Sequence, residues 1–129
     1  MTTNQPLRIL VVDDEALIRW SLCELLRLKG HTVAEAASAD AARAAIDQSA
    51  VFDVVLLDYR LPDSNDLKLL GEIRRRMPES AVVLMTAFGS AEIVNGAIQL
   101  GAYRVVDKPF DMNDVDPMVR NAYQSMRIH

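Results

Sequence analysis

Five short apolar runs, each followed by a stretch in which apolar residues recur three or four positions apart, decide what this chain can fold into. Leu7 to Val12 (Leu-Arg-Ile-Leu-Val-Val), Thr32 to Ala36, Phe52 to Leu57, Ala81 to Met85 and Tyr103 to Val106 read as strands, short and rich in β-branched residues. Ala16 to Lys29 carries Ile18, Leu22, Leu25 and Leu26 at helical spacing, and Gly30 stops it. Ser38 caps an alanine-rich helix running to about Ser49; Asn65 to Met77 is helical and ended by Pro78; Ser90 caps a helix that reaches Leu100, with Gly101 as its stop. The last helix is capped by Asn113 or by Asp116, with Pro117 tolerated in its first turn, and runs to about Met126. Strands buried on both faces lose the polar-apolar alternation of half-exposed ones, so five such βα units predict an α/β fold: a doubly wound, five-stranded parallel sheet in the order 2-1-3-4-5.

A length of 129 residues suits one domain, and half the chain being hydrophobic makes it globular rather than disordered. No apolar run approaches the roughly 20 residues of a membrane span, and the start Met-Thr-Thr-Asn-Gln-Pro has no signal-peptide pattern, so a cytoplasmic protein with no membrane partner is expected. Cys23 is the only cysteine, which excludes an internal disulfide; in its leucine-rich helical setting it reads as a small core or boundary residue without chemistry. The net charge of -4 gives no basic face for nucleic acid, and Arg74-Arg75-Arg76 fits the end of a helix dipole.

Polar residues stand just past four of the five apolar runs: Asp13-Asp14, Asp58, Thr86 and Lys108. In open α/β sheets, ligands bind outside the carboxyl ends of the strands where strand order reverses, here between strands one and three, which end in Asp13-Asp14 and Asp58. Each residue alone has an ordinary explanation as a helix cap, a turn residue or a solvated charge; for Asp14, capping and site membership weigh equally. Their joint placement favours one pocket. Close carboxylates repel by roughly 3 kcal/mol per pair at an effective dielectric near 20, so the pocket must take up a proton or a cation. Oxygen ligands favour Mg²⁺ or Mn²⁺, and an Asp carboxylate is a competent nucleophile toward phosphorus.

Ile-Leu-Val-Val-Asp-Asp-Glu (9 to 15), Asp-Tyr-Arg-Leu-Pro (58 to 62), Met-Thr-Ala-Phe-Gly (85 to 89) and Leu-Gly-Ala-Tyr-Arg-Val-Val-Asp-Lys-Pro-Phe (100 to 110) resemble the receiver domain of two-component response regulators, over essentially the whole chain. Within that family, with Ile18-Arg19-Trp20 adding to the likeness, the chain is most similar to receivers of nitrogen-regulator type that precede a sigma-54-activating ATPase domain and a DNA-binding domain. The resemblance implies a flavodoxin-like receiver fold over residues 1–129, standing alone or cut from a longer regulator, that is no enzyme beyond its own phosphorylation and dephosphorylation. It implies that Asp58 accepts a phosphoryl group from a sensor histidine kinase, which commonly docks on the first helix, where Trp20 lies. It implies Mg²⁺, or Mn²⁺, on Asp14, Asp58 and the Arg60 carbonyl, with Asp13 acting through water; Thr86 and Lys108 on the phosphoryl oxygens; a cis Lys108-Pro109 bond; and hydrolysis tuned by Arg60 and Phe88. Output would leave through the fourth helix, fifth strand and fifth helix, by homodimerisation or by contact with a neighbouring domain, and DNA would be reached only through an output domain outside these residues.

Three positions depart from the family pattern. Val105 stands where the switch aromatic usually sits, and valine has no long arm to swing after Thr86 moves. Tyr103, two residues earlier on the same strand face, is expected to share the read-out. Asp66 replaces a usual glycine and is expected in a left-handed turn, which Asp tolerates better than most residues. Asp107 adds a charge beside Lys108 and is expected to be solvated. Gly96, inside the fourth helix, either softens that helix by about 1 kcal/mol or allows a close contact. Among rivals, a haloacid-dehalogenase-type phosphohydrolase lacks its Asp-x-Asp here, and a flavodoxin-like electron carrier lacks its phosphate cradle; a receiver-like interaction module without turnover keeps only Val105 and Asp66 in its favour.

Overall fold

The computed structural model describes residues 5–48, 51–64 and 66–127. The elements are β1 (Arg8–Val12), α1 (Ala16–Leu28), β2 (Thr32–Ala36), α2 (Ala39–Gln48), β3 (Val54–Asp58), α3 (Lys68–Arg76), β4 (Ala81–Thr86), α4 (Ala91–Gln99), β5 (Arg104–Asp107) and α5 (Val115–Ser125), with a 3-10 turn at Met112–Asp114. The strands form one parallel sheet in the order β2-β1-β3-β4-β5, as expected. Because side chains alternate along a strand, Leu10, Val12, Val55, Leu57, Val82 and Leu84 pack on one face against α2, α3 and α4. Ile9, Val11, Val54, Leu56, Val83 and Met85 pack on the other, against α1 and α5. Cys23 is fully buried in that second layer, and burial pushes its thiol up to about 11, in keeping with a core residue.

Several boundaries differ from the sequence reading, each for a local reason. β3 begins at Val54 because Asp53 turns its carboxylate onto the Arg8 amide (2.8 Å), while Phe52 is buried just outside the ladder. α3 begins at Lys68, whose amide donates to Asp66 Oδ1 (2.9 Å); Asn65 lies outside the described residues, as does the expected Ser49 end of α2. Asp66 therefore serves the head of α3 in ordinary backbone geometry, and the expected left-handed turn is not formed: among the described residues only Gly30 (φ 96°) and Gly101 (φ 102°) are left-handed, and these are the two predicted helix stops. α5 is capped by neither Asn113 nor Asp116. Asp111 accepts from the Asn113 amide (2.9 Å), and the 3-10 turn runs straight into the helix, leaving Pro117 in its first turn.

Of the arginine run, Arg74 reaches beyond the helix dipole, donating to the Pro78 (2.9 Å) and Ser80 (2.6 Å) carbonyls and so closing the turn into β4. A Cβ on Gly96 would stand 2.9 Å from a Leu67 methyl, which favours the close-contact reading of that glycine. No helix among the described residues is long and apolar enough to cross a membrane.

His31 was not singled out by sequence. Its buried ring accepts from the Leu7 amide at Nδ1 (3.0 Å), which leaves Nε2–H to donate to Asp116 Oδ1 (2.7 Å), fastening β1 to α5. Burial raises the Asp116 carboxyl, but the hydrogen bonds from His31 and Arg120 outweigh it and the net displacement is downward. A carboxylate with a lowered pKa stabilises the fold above its unfolded value near ~4 and loses that contribution as pH falls through the folded value. Asp116→Asn should therefore lower the urea midpoint at pH 7 and converge on the native protein in acid, once the pH lies below the folded value. A deficit of equal size at both pH values would contradict the charged role.

Candidate phosphate and metal site

The four polar positions singled out by sequence meet at the carboxyl edge of the sheet. Asp13 leaves β1 with its amide on the Ala36 carbonyl (3.0 Å), its Oδ1 accepting from the Glu15 amide (2.9 Å) and its own carbonyl accepting from Arg19 Nη1 (2.7 Å). Asp58 is the last residue of β3 and is buried. Lys108 joins them: its Nζ donates to Asp13 Oδ2 (3.0 Å), Asp58 Oδ2 (3.0 Å) and Glu15 Oε1 (3.1 Å). The Lys108-Pro109 bond is cis, as the resemblance implied.

Asp14 is exposed, and no side chain caps α1, so the capping alternative for Asp14 falls away. Asp13, Asp14 and Asp58 each bring a carboxylate oxygen within 4.8 Å of the others. That donor set, oxygen only and open on the Asp14 side, fits a hard divalent cation that keeps water ligands. Beside it opens a cleft of about 300 Å³ bordered by Asp14, Asp58, Arg60, Thr86, Phe88 and Lys108. Thr86 ends β4 buried, its Oγ1 accepting from the Phe88 amide (3.1 Å). Phe88 is 76% exposed at the mouth, and the Arg60 amide lies 3.3 Å from Asp58 Oδ1.

Burial pushes the Asp58 carboxyl up to about 6, against the opposing pull of the Lys108 ammonium; the neighbouring Asp13 charge adds to the rise. For Lys108, burial lowers the pKa but the bonds to Asp13 and Asp58 outweigh it, so the ammonium is held well above its ordinary value. The pocket thus combines an ionisable carboxylate, an ammonium, a hydroxyl and an oxygen cluster of a size that fits a metal ion.

Two expected participants stand apart from the cleft. Val105 packs into the layer of α2, α3 and α4, and Tyr103, 38% exposed, stands just ahead of β5 and outside that layer. Asp107 is exposed as expected, and its Oδ1 lies where a Cβ on Gly89 would be (2.4 Å), so a side chain there would turn the Asp107 carboxylate aside. Glu15 and Arg19 lie within the motifs that carry the family resemblance, and sequence alone gives them no role at the site. Only the three-dimensional return of Lys108 onto Glu15, and of Arg19 onto the Asp13 carbonyl, reveals them.

The sequence profile of the response regulator receiver domain matches residues 9–120. The chain belongs to the receiver domain family of response regulators. This receiver is 37% identical to the regulatory protein AtoC of Escherichia coli (strain K12) over 91% of its length, and 36% identical to the DNA-binding transcriptional regulator NtrC of Salmonella typhimurium over 87%. It spans only about a quarter of either relative, 25% and 24%. Its fold superposes on the CheY-like receiver domain protein of Methanospirillum hungatei with a TM-score of 0.89 at 27% identity, covering 95% of this chain and 98% of the other. On the receiver domain of NtrX from Brucella abortus the TM-score is 0.81 at 38% identity, covering 91% and 98%.

The raised carboxyl gives a direct check. In metal-free buffer, ¹³C-detected titration should show the Asp58 side chain with a midpoint near 6; a midpoint near 4 would mean that Lys108 outweighs burial.

Proposed function

We propose that this receiver takes a phosphoryl group onto Asp58 from the phosphohistidine of a sensor kinase, in a reaction that depends on Mg²⁺ or Mn²⁺. The observation that carries the reading is the convergence of Asp13, Asp14, Asp58 and Lys108 at the β1/β3 crossover, with Thr86 beside them. Asp14, Asp58 and the Arg60 carbonyl would hold the metal, with Asp13 acting through water. The bound cation supplies positive charge that offsets the carboxylates and the phosphoryl oxygens.

An Asp58 oxygen attacks phosphorus; the O–P bond forms as the P–N bond of the phosphohistidine breaks, and the imidazole nitrogen leaves with the electron pair. Lys108 passes from the carboxylates to the new phosphoryl oxygens, and the Thr86 hydroxyl, whose oxygen accepts from the Phe88 amide, has its proton free to donate to the same group. The small side chain of Ala87 leaves the approach open. Arg60 and Phe88, at the mouth, set water access and hence the lifetime of the acyl phosphate. No substrate other than the receiver itself is turned over.

We read residues 1–129 as one receiver domain of a longer cytoplasmic regulator of nitrogen-regulator type, with DNA reached through an output domain beyond it. The support is the resemblance to AtoC and NtrC, whose names describe regulation and DNA binding. Kinase docking falls to α1, where Leu17 (75%) and Trp20 (60%) are exposed one turn apart and Leu28 (83%) ends the helix; Trp20 is more open than the partial burial its size would favour. Output falls to α4, β5 and α5, where a homodimer would form. Because Val105 is packed and short, Tyr103 takes part of the read-out of the Thr86 shift.

Incubation with acetyl phosphate and Mg²⁺ should add one phosphoryl mass to the intact protein, and none to Asp58→Asn or in the presence of EDTA. Absence of the adduct, with the protein folded and the donor active on a control receiver, would leave the interaction-module reading instead. Tyr103→Ala should phosphorylate normally yet lose the phosphorylation-driven change in sedimentation. An unchanged shift would remove Tyr103 from the switch.

A further inference from the structure

The chain leaving Asp58 is held at more points than its exposure requires. The Tyr59 amide donates to the Met85 carbonyl (2.8 Å), and Leu61 is buried in the core. Leu61 and Ser64 then exchange backbone bonds (2.7 and 3.3 Å), closing a tight turn with Pro62 and Asp63 at its tip. That turn has one further handle. Asp63 Oδ1 accepts from the Ala39 amide (2.8 Å) and Oδ2 from the Asp40 amide (3.0 Å), so a carboxylate 24 residues away occupies the first two N–H groups of α2. These two bonds lower the Asp63 carboxyl below its ordinary range.

A helix start needs partners for its first amides, and a residue in the adjoining segment usually supplies them. Here Ser38 already does so for the next amide, its Oγ accepting from Ala41 N (3.0 Å). The Asp63 contact therefore does something a local cap cannot: it ties the position of the turn to the frame of α2. The frame itself is held separately, because Arg43 of α2 makes a two-pronged bond to Glu72 of α3 (2.8 and 3.0 Å) and Ala39, Ala42 and Ile46 lie in the core.

We propose that Asp63 is a positioning residue for the metal site, its carboxylate holding the turn on the amides of Ala39 and Asp40 so that the Arg60 carbonyl, three residues upstream, is kept at the position of a ligand. The inference rests on the reading of Asp58 as a Mg²⁺-dependent phosphoacceptor and deepens it. Asp63 touches neither metal nor phosphate. Outer partners that orient metal ligands typically cost about 10- to 100-fold in affinity when removed.

The test compares Asp63→Ala, Asp63→Asn and Ser38→Ala by calorimetric Mg²⁺ titration, urea midpoint, and phosphorylation rate with acetyl phosphate at limiting and saturating Mg²⁺. Ser38→Ala removes a cap from the same helix end without touching the turn. Asp63→Ala should weaken Mg²⁺ binding about tenfold, slow phosphorylation at limiting Mg²⁺ and recover at saturation. Asp63→Asn, which keeps one accepting oxygen, should recover part of the loss. Ser38→Ala should lower the urea midpoint with its Mg²⁺ affinity unchanged. The proposal fails if Asp63→Ala binds Mg²⁺ within twofold of the native protein, or if Ser38→Ala loses as much affinity. A native protein that binds no Mg²⁺ would overturn the phosphoacceptor reading and this one with it, whereas native binding with an unaffected Asp63→Ala confines the failure to Asp63.

Discussion

The Lys108 ammonium lies 3.0 Å from carboxylate oxygens of both Asp13 and Asp58 and 3.1 Å from Glu15, and the carboxyl edge of the sheet depends on it for electrostatic balance. Like charges at 4 Å repel by about 4 kcal/mol at an effective dielectric near 20, and one cation cannot neutralise three or four carboxylates. The excess shows in the Asp58 carboxyl, which burial and the Asp13 charge raise to about 6, and in the proposed function it is met by a divalent metal on the Asp14 side. A phosphoryl group on Asp58 would therefore take one of the oxygens that Lys108 now holds.

The sheet makes this juxtaposition inexpensive in sequence. Parallel strands bring all their carboxyl ends to one edge, and the 2-1-3-4-5 order sets β1 beside β3 with β4 and β5 following. Two apolar layers fix the strands from both sides, so the short polar loops beyond them start from rigid ends. Secondary ties then define the loops: Arg19 on the Asp13 carbonyl, Asp63 on the head of α2, and the Thr86 hydroxyl under the Phe88 amide.

The parts of this structure legible in the sequence are those governed by local pattern. Continuous apolar runs gave the strands, Gly30 and Gly101 marked the left-handed helix ends, and Asp13, Asp14, Asp58, Thr86 and Lys108 could be grouped because strand ends in a parallel sheet must converge. What escaped depends on contacts between segments distant in sequence. His31 looks like any loop histidine until Leu7 and Asp116 close around it, and Asp63 looks like a turn residue until α2 presents its amides. The start of α5 was misplaced for the same reason: Asp116, a good cap by type, is committed to His31 and Arg120, and Asp111 takes the task one turn earlier. Asp66 was misjudged by transferring a glycine's geometry to a residue whose side chain can cap the next helix instead.

Asp58, and not its acidic neighbours, is the proposed nucleophile. Borohydride reduction of the phosphorylated protein converts an aspartyl phosphate to homoserine, which tandem mass spectrometry can locate. Homoserine at position 58 alone is the predicted result. Homoserine at position 13 or 14, or at none of the three, would contradict the assignment of roles drawn from the geometry of this site.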